Sequence, residues 1–347
     1  MVVVVDVQEG EVNLCPPGFV YKIDENLVYL RRLDESTWLA PIVLPASSSL
    51  EYIWNSQSGP AALVYTEEDL FMLLVGSRVA AAGRFDQIGN CRNIYIDSSR
   101  VICIGLFGFA IIDCYEGSVT QIPLESAGFE PKHGPQDETM VNDIAATSNG
   151  FVALISTNRS FDSHLEVACF GRRGELKWQH EMPNDFLHET VAKWLIVECT
   201  ADRLKFVPGW LRTHSPTRYP NNDDHDENDE ETGFVFDQWG DLNWSAESVP
   251  PPERTEPLSS MPIVEFDFNS REWSRTFLNL RRPIGAIDRR KGSLPELGAV
   301  SWKGQICVAS AIQVVVNETS MAFDSLFAHT LCVINDELLI ARDAHRV

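Results

Sequence analysis

Apolar residues in this chain fall in short runs bounded by Gly, Asn, Asp and Ser, and the three-and-four spacing of an amphipathic helix is nearly absent. The runs are rich in β-branched and aromatic residues, so the pattern predicts a chain built almost wholly from short strands. "FVYKIDENLVYLRRLDESTWLAPIVLP" predicts two or three strands, with turns at Asp24-Glu25-Asn26 and Asp34-Glu35-Ser36. "NIYIDSSRVICIGLFGFAIIDCYEGSVTQIPL" predicts four, broken at Asp97-Ser98-Ser99, from Gly105 to Gly108, and at Tyr115-Glu116-Gly117. Four more are predicted in "VNDIAATSNGFVALISTNRSFDSHLEVACFGRRGELKWQHEMP", which turns at Ser148-Asn149-Gly150, around Asn158 to Ser163, and at Arg172-Arg173-Gly174.

The last hairpin of that stretch, "FGRRGELKW", returns at residues 236 to 244 as "FDQWGDLNW": Phe, three residues, Gly, one residue, Leu, one residue, Trp. Looser relatives are "FDFNSREWSRTF", which contains Trp273, and "DCYEGSVTQIP", which keeps the glycine but has Gln in place of Trp. Four strands in about 35 residues is the size of one propeller blade. On these residues the chain resembles the β-propellers of the quinoprotein-like and WD40-like kind, in which a turn glycine precedes a tryptophan near the end of each repeat. The match is carried by Gly174 and Trp178, and by Gly240 and Trp244; no Gly-His and Trp-Asp pair marks the repeats. The resemblance implies an all-β fold, a single β-propeller domain over residues 1–347 with six or seven four-stranded blades. One twisted sheet cannot bury both faces alone, so Trp178, Trp244 and Trp273 are expected to pack between neighbouring blades. The opening "VVVVDV" is expected to pair with the last strands, around "TLCVINDELLIARD", and close the ring.

Two polar stretches interrupt the pattern. Residues 212–233 have almost no apolar residue and a dense acidic run, and residues 245–262 are rich in proline; both are expected to be disordered loops within the domain. A cut into two domains near residue 215 is the rival organisation. The whole chain carries 28 Lys and Arg against 50 Asp and Glu, a formal net charge of -22, which argues against a broad nucleic-acid surface and makes a basic partner the complementary one. There is no apolar run of the length a membrane helix needs and no basic region before the opening valines, so a cytoplasmic monomer is expected. The eight cysteines form no C-x-x-C pair and lie mostly in apolar runs, which predicts buried free thiols.

Complete catalytic constellations are missing. In the acidic run neither a glycine nor a glutamate falls at the sixth and twelfth positions that a helix-loop-helix calcium site requires. "VNDIAATSNGF" is similar to one piece of the calcium-dependent gluconolactonase kind of propeller, which implies Asn142, with Asp143 beside it, near a central metal such as calcium; the companion pieces are absent. The histidines form no H-x-H or H-E-x-x-H, and neither a Gly-x-Ser-x-Gly elbow, a phosphate loop nor a dinucleotide fingerprint occurs. The sequence therefore favours a non-catalytic, cofactor-free protein-binding scaffold, with a metal-dependent propeller hydrolase using Asn142 or Asp143 as the alternative. "PGWLRTHSPTRYP" is the most contact-like stretch, so Trp210, Arg212, Arg218 and Tyr219, together with Trp239, are the candidate partner-binding residues, and Trp194 is a further tryptophan near a loop.

Overall fold

Strand follows strand along the chain, and almost every one pairs with the strand just before or after it. The computed structural model describes residues 2–7, 13–15, 19–32, 34–68, 70–89, 91, 93–97, 100–105, 107–129, 138–159, 162–186, 191–211, 258–284, 298–309, 313–316, 319–322, 328–334 and 336–343. The first strand, β1 (Val2–Val7), stands apart from its neighbours in sequence. Antiparallel four-stranded sheets then succeed one another. The first blade is β2 (Asn13–Cys15), β3 (Phe19–Asp24), β4 (Leu27–Arg32) and β5 (Ile42–Val43), and the second is β6 (Ser48–Ser56), β7 (Gly59–Thr66), β8 (Phe71–Val75) and β9 (Arg78–Gly83). The third is β10 (Asn93–Asp97), β11 (Arg100–Ile104), β12 (Gly108–Asp113) and β13 (Val119–Pro123), and the fourth is β14 (Glu138–Thr147), β15 (Gly150–Arg159), β16 (Asp162–Gly171) and β17 (Leu176–Glu181). The fifth is β18 (Val191–Cys199), β19 (Arg203–Leu211), β20 (Leu258–Asp267) and β21 (Trp273–Ile284), and the sixth is β22 (Gly298–Trp302), β23 (Gln305–Ala309), β24 (Gln313–Val316) and β25 (Thr319–Ala322). In the seventh, β26 (Ala328–Ile334) pairs with β27 (Glu337–Asp343), and β1 returns to complete it, parallel to β27 with Val2 opposite Leu338 and Val7 opposite Asp343. The two ends of the described chain thus share one sheet, as the opening valines predicted.

These sheets are blades of a β-propeller, because their hydrophobic cores lie between sheets. Successive side chains on a strand point to opposite faces. In β7, Ala61 and Leu63 pack with the third blade while Ala62 and Val64 pack with the first. In β15, Phe151, Ala153 and Ile155 pack with the third blade while Val152 and Leu154 pack with the fifth. At the far end Leu331, Leu338 and Ile340 pack with Cys307, Ala309 and Val314 of the sixth blade. Middle strands therefore read as near-continuous apolar runs, "VICI" and "FVALIS" among them, as expected when both faces are covered. The first strands of the fourth to seventh blades lie side by side, which makes them the inner wall.

The hairpin joining β16 and β17 carries the repeat. Gly174 turns it with φ +85°, and a Cβ there would come within 2.0 Å of Ile122 Cδ1 on the third blade, so glycine serves both the turn and the close approach. Two positions on, Leu176 pairs with Phe170, and Trp178 lays its ring on the fifth blade, with centroids 5.9 Å from Phe266 and 5.7 Å from Phe268 and the Arg271 guanidinium 4.1 Å from its centre. The corresponding hairpin of the fifth blade is "FDFNSREW", the looser match; Trp273 meets Phe266 at a tilt and Phe206 edge-on, both of its own blade, with centroids 4.5 and 6.2 Å apart. "FDQWGDLNW", with Gly240 and Trp244, lies outside the described residues, in the connection from β19 to β20. The expected proline-rich loop ends earlier than its composition suggested, since residues 258–262 belong to β20. Pro262 is tolerated there because β19 pairs with β20 only from Arg203 opposite Asp267 to Phe206 opposite Val264, leaving Pro262 a single neighbour, Phe277 on β21.

Alternating strand direction sorts the connections. First-to-second and third-to-fourth turns gather at one end of the blades; second-to-third turns and inter-blade links gather at the other. Residues 212–257 link the second and third strands of the fifth blade, so that insertion departs from the link end.

Trp178→Ala is expected to lower the unfolding free energy by about 2–4 kcal/mol in urea titrations, the lower part of the range for aromatic truncation because the ring is half-buried, and Trp178→Phe by less. A loss no larger than that of the exposed neighbour Lys177→Ala would contradict an inter-blade role for the ring.

Candidate functional site

Asn142 and Asp143 sit on β14, on the inner wall. A β-bulge between Val141 and Asp143 makes Asn142 the extra residue, so two consecutive side chains turn toward the fifth blade where a regular strand would send them to opposite faces. Asn142 Oδ1 accepts the Trp194 N–H at 3.3 Å, Asp143 Oδ2 accepts the Ile196 N–H at 2.8 Å, and Asp143 Oδ1 accepts the Ile144 N–H at 2.9 Å. The pair is a staple from one inner strand, β14, to the next, β18, an edge strand that pairs in its sheet with β19 alone and so can donate N–H groups from its other edge. Burial pushes the Asp143 carboxyl up to about 6, opposed by the hydrogen bonds from Ile196 and Ile144 and by the charge of Lys193. Asn142 is 3% exposed and its Nδ2 has no hydrogen-bond partner among the described residues.

A second polar group lies on the other face of the same blade. Thr139 on β14 is opposite Thr157 on β15, which is opposite His164 on β16; one step down, Ile155 is opposite Glu166, which is opposite Glu181 on β17. His164 Nδ1 and Glu181 Oε1 are 2.9 Å apart, Glu166 and Thr157 are each 1% exposed, and the Thr139 and Thr157 hydroxyls have no hydrogen-bond partner among the described residues. This face otherwise packs Phe151, Ala153, Ala168 and Phe170 against Ile102, Ile104 and Phe109 of the third blade. The signal for it was in the sequence: "HLEV" alternates polar and apolar, which in an open sheet marks a solvent face, but no middle strand of a propeller has one.

At the outer surface, Arg275 on β21 donates to the Asp185 carbonyl and its guanidinium lies 5.0 Å from the ring of Phe186 and 5.2 Å from that of Phe277, whose residue is 51% exposed. The short turn Asn184–Phe186 belongs to the link between the fourth and fifth blades, so arginine and two aromatics bridge that junction. On the fifth blade, Glu198 holds Arg203 at 3.1 Å and Lys205 at 3.6 Å, and takes a hydrogen bond from the Ser301 hydroxyl of the sixth blade at 3.2 Å.

Of the sequence-predicted contact residues, Trp210 lies on β19, next to the departure point of the insertion, while Arg212, Arg218, Tyr219 and Trp239 lie outside the described residues. Trp194 is not a surface residue: it is 4% exposed and its ring meets Phe206 edge-on at 5.4 Å, so its position beside a loop put its backbone, not its side chain, at the edge of the blade. Among the described residues no group of three or more His, Cys, Asp or Glu side chains is arranged to hold a metal ion.

No family model matches the chain, and no curated protein matches it. Solved structures do. The β-propeller domain of Nup133 from Vanderwaltozyma polyspora is similar with a TM-score of 0.53 at 7% identity, covering 96% of this chain and 91% of that one. Hsv2 from Kluyveromyces lactis, with its loop 6CD replaced by a Gly-Ser linker, gives 0.50 at 7% identity over 97% and 89% of the two chains. The WD40 domain of Pan2 from Neurospora crassa gives 0.44 at 11% identity over 94% and 82%. At these identities the likeness is one of fold, and the fold is the β-propeller.

The Asp143 carboxyl binds its proton more tightly folded, at about 6, than unfolded, at 3.8. Protonation therefore favours the native state: that contribution is complete below the unfolded value and is lost as pH rises through the folded one. Urea unfolding of the protein and of Asp143→Asn across this range should show the stability difference between them shifting against the native sequence, by at most about 3 kcal/mol, between about pH 4 and pH 6 and levelling above it. A pH-independent difference would contradict the buried, stapling carboxylate.

Proposed function

We propose that this protein is a non-catalytic binding scaffold, a single propeller domain whose link-end surface engages another protein with a basic surface. The observation that carries this reading is the placement of residues 212–257: the densest acidic run of a strongly acidic chain is hung between β19 and β20, two strands that pair with each other regardless. A long connection inside an otherwise economical repeat fold is characteristically a functional one. Its acidity would raise the encounter rate with a basic partner, and the contacts that follow would come from Trp210, Arg212, Arg218, Tyr219 and Trp239. The Arg275, Phe186 and Phe277 group lies at the junction of the fourth and fifth blades and has the arginine and aromatic chemistry of binding hot spots. The reading places the protein in the cytoplasm as a monomer. A metal-dependent hydrolase would need Asn142 or Asp143 as a ligand, and the oxygens of both accept backbone N–H groups in the inter-blade staple.

The test uses a lysine-rich peptide as a defined basic probe, and a variant in which the acids from Asp223 to Glu231 are replaced by Ser and Asn. Stopped-flow association should be about tenfold slower for the variant at low salt, with a flatter dependence on ionic strength. Equal rates and equal salt dependence for the two proteins would overturn the steering role of the insertion.

A further inference from the structure

We propose that the outer edge of the seventh blade is a docking place for an extended, acidic segment of another protein, which adds to β1 as a fourth strand and brings its carboxylates to Lys22 and Arg31 of the first blade. Among the described residues six blades have four strands, and the seventh has three, in the order β26, β27, β1. Contacts of β26 with β22 put it on the inner wall, so β1 is the outermost strand, and no described strand pairs with its far edge. A row of unpaired N–H and C=O groups is a template for another strand, and proteins commonly guard such an edge with lysine, proline or a bulge. β1 has none of these: its sequence is VVVVDV, and its register against β27 runs from Val2 to Val7 without a shift.

The first blade defines the chemistry of the occupant. Alternation along β3 and β4 sends Val28 and Leu30 into the core shared with the second blade, so Lys22, Tyr29 and Arg31 lie on the opposite face, the one turned to the seventh. That face is covered at its second strand, where Val20 is 1% exposed, and open at its fourth, where Val43 is 48% exposed, as a fourth strand missing from the seventh blade would leave it. Trp38, from the connection between β4 and β5, lays its ring there, with Lys22 Nζ 5.1 Å and the Arg31 guanidinium 5.2 Å from the ring centre; Lys22 Nζ is also 5.1 Å from the centre of the Tyr29 ring. Two like charges against one indole repel, and an anion between them relieves this. Among the described residues neither cation meets a carboxylate: Arg31 donates to the carbonyls of Arg32 and Glu35, whereas Arg32, on the other face, is paired with Asp34 at 2.7 Å and Glu35 at 3.5 Å. A strand beside β1 turns alternate side chains to this face, so acids two residues apart approach both cations. A second copy fits less well, because two chains of formal charge -22 repel and β1 offers one acid; the acidic run of this chain is anchored on the fifth blade, with the sixth between its anchoring strands and β1.

The probe is an end-capped peptide of four Val-Glu repeats, with four Val-Lys repeats as its counterpart. Hydrogen–deuterium exchange of the intact protein should show the Val-Glu peptide protecting the amides of β1 and of the first blade, and the Val-Lys peptide, which the acidic insertion attracts, protecting neither. By fluorescence anisotropy the double variant Lys22→Gln, Arg31→Gln should bind the Val-Glu peptide about tenfold more weakly. Without peptide, β1 should exchange equally fast in the native chain and in one lacking residues 212–257, and the native chain should sediment as a monomer. Equal affinity of the double variant, or β1 exchanging as before in the presence of the Val-Glu peptide, would overturn the proposal. So would slower exchange of β1 in the native chain than in the deleted one, which makes the insertion the occupant, or a dimer that the peptide dissociates, which makes it a second copy.

Discussion

Every blade of this protein is a small sheet with two apolar faces, and that is the constraint on which the rest depends. Such a sheet has no stable existence in water unless both faces are covered, and among the described residues apolar clusters join each sheet to the next from the first blade to the seventh. Stacking in one direction leaves the first and last sheets in need of a partner; the chain meets this by bringing its opening valines back beside β27, so that first and last strands belong to one blade. Apolar side chains that point up and down alternately from β7, β11, β12 and β15 are equally buried, and the ring holds together through their interlocking rather than through any central core.

The same constraint decides where polarity can sit. Turns and links can be polar at no cost, and the long connection of residues 212–257 hangs from the fifth blade, whose β19 and β20 pair from Arg203 opposite Asp267 to Phe206 opposite Val264. Polar residues inside the stack must be engaged or sequestered. Asn142 and Asp143 show the first outcome: a bulge aims both at β18, where they take backbone N–H groups from the edge that β19 does not pair. The row of Thr157, His164, Glu166 and Glu181 shows the second, a polar band at the link end of a face whose remainder is aromatic and aliphatic. On the proposed reading as a binding scaffold, specificity would belong to the connections at the blade ends.

Much of the fold was legible in the sequence because period-two runs and turn residues are local. The four strands of the third and fourth blades, the turn at Gly174, the inter-blade Trp178 and the pairing of the first valines with the last strands all followed from such signals. Composition misled at residues 258–262, where serines and a proline occupy the start of a strand that pairs there with β21 and not with β19. The looser match, "FDFNSREW", is the hairpin of the fifth blade, and "FDQWGDLNW" lies outside the described residues. The candidate site was far less legible. A bulge and a buried face that mimics a solvent face both arise from tertiary register, which no spacing in one chain encodes.

The separation of a self-sufficient ring from a functional insertion is tested most directly by replacing residues 212–257 with a short Gly-Ser linker between Leu211 and Leu258 and measuring thermal unfolding alongside binding of the lysine-rich probe. The account predicts an unchanged melting temperature and a large loss of salt-dependent binding. A protein that unfolds at markedly lower temperature, or one that binds the probe as before, would contradict it.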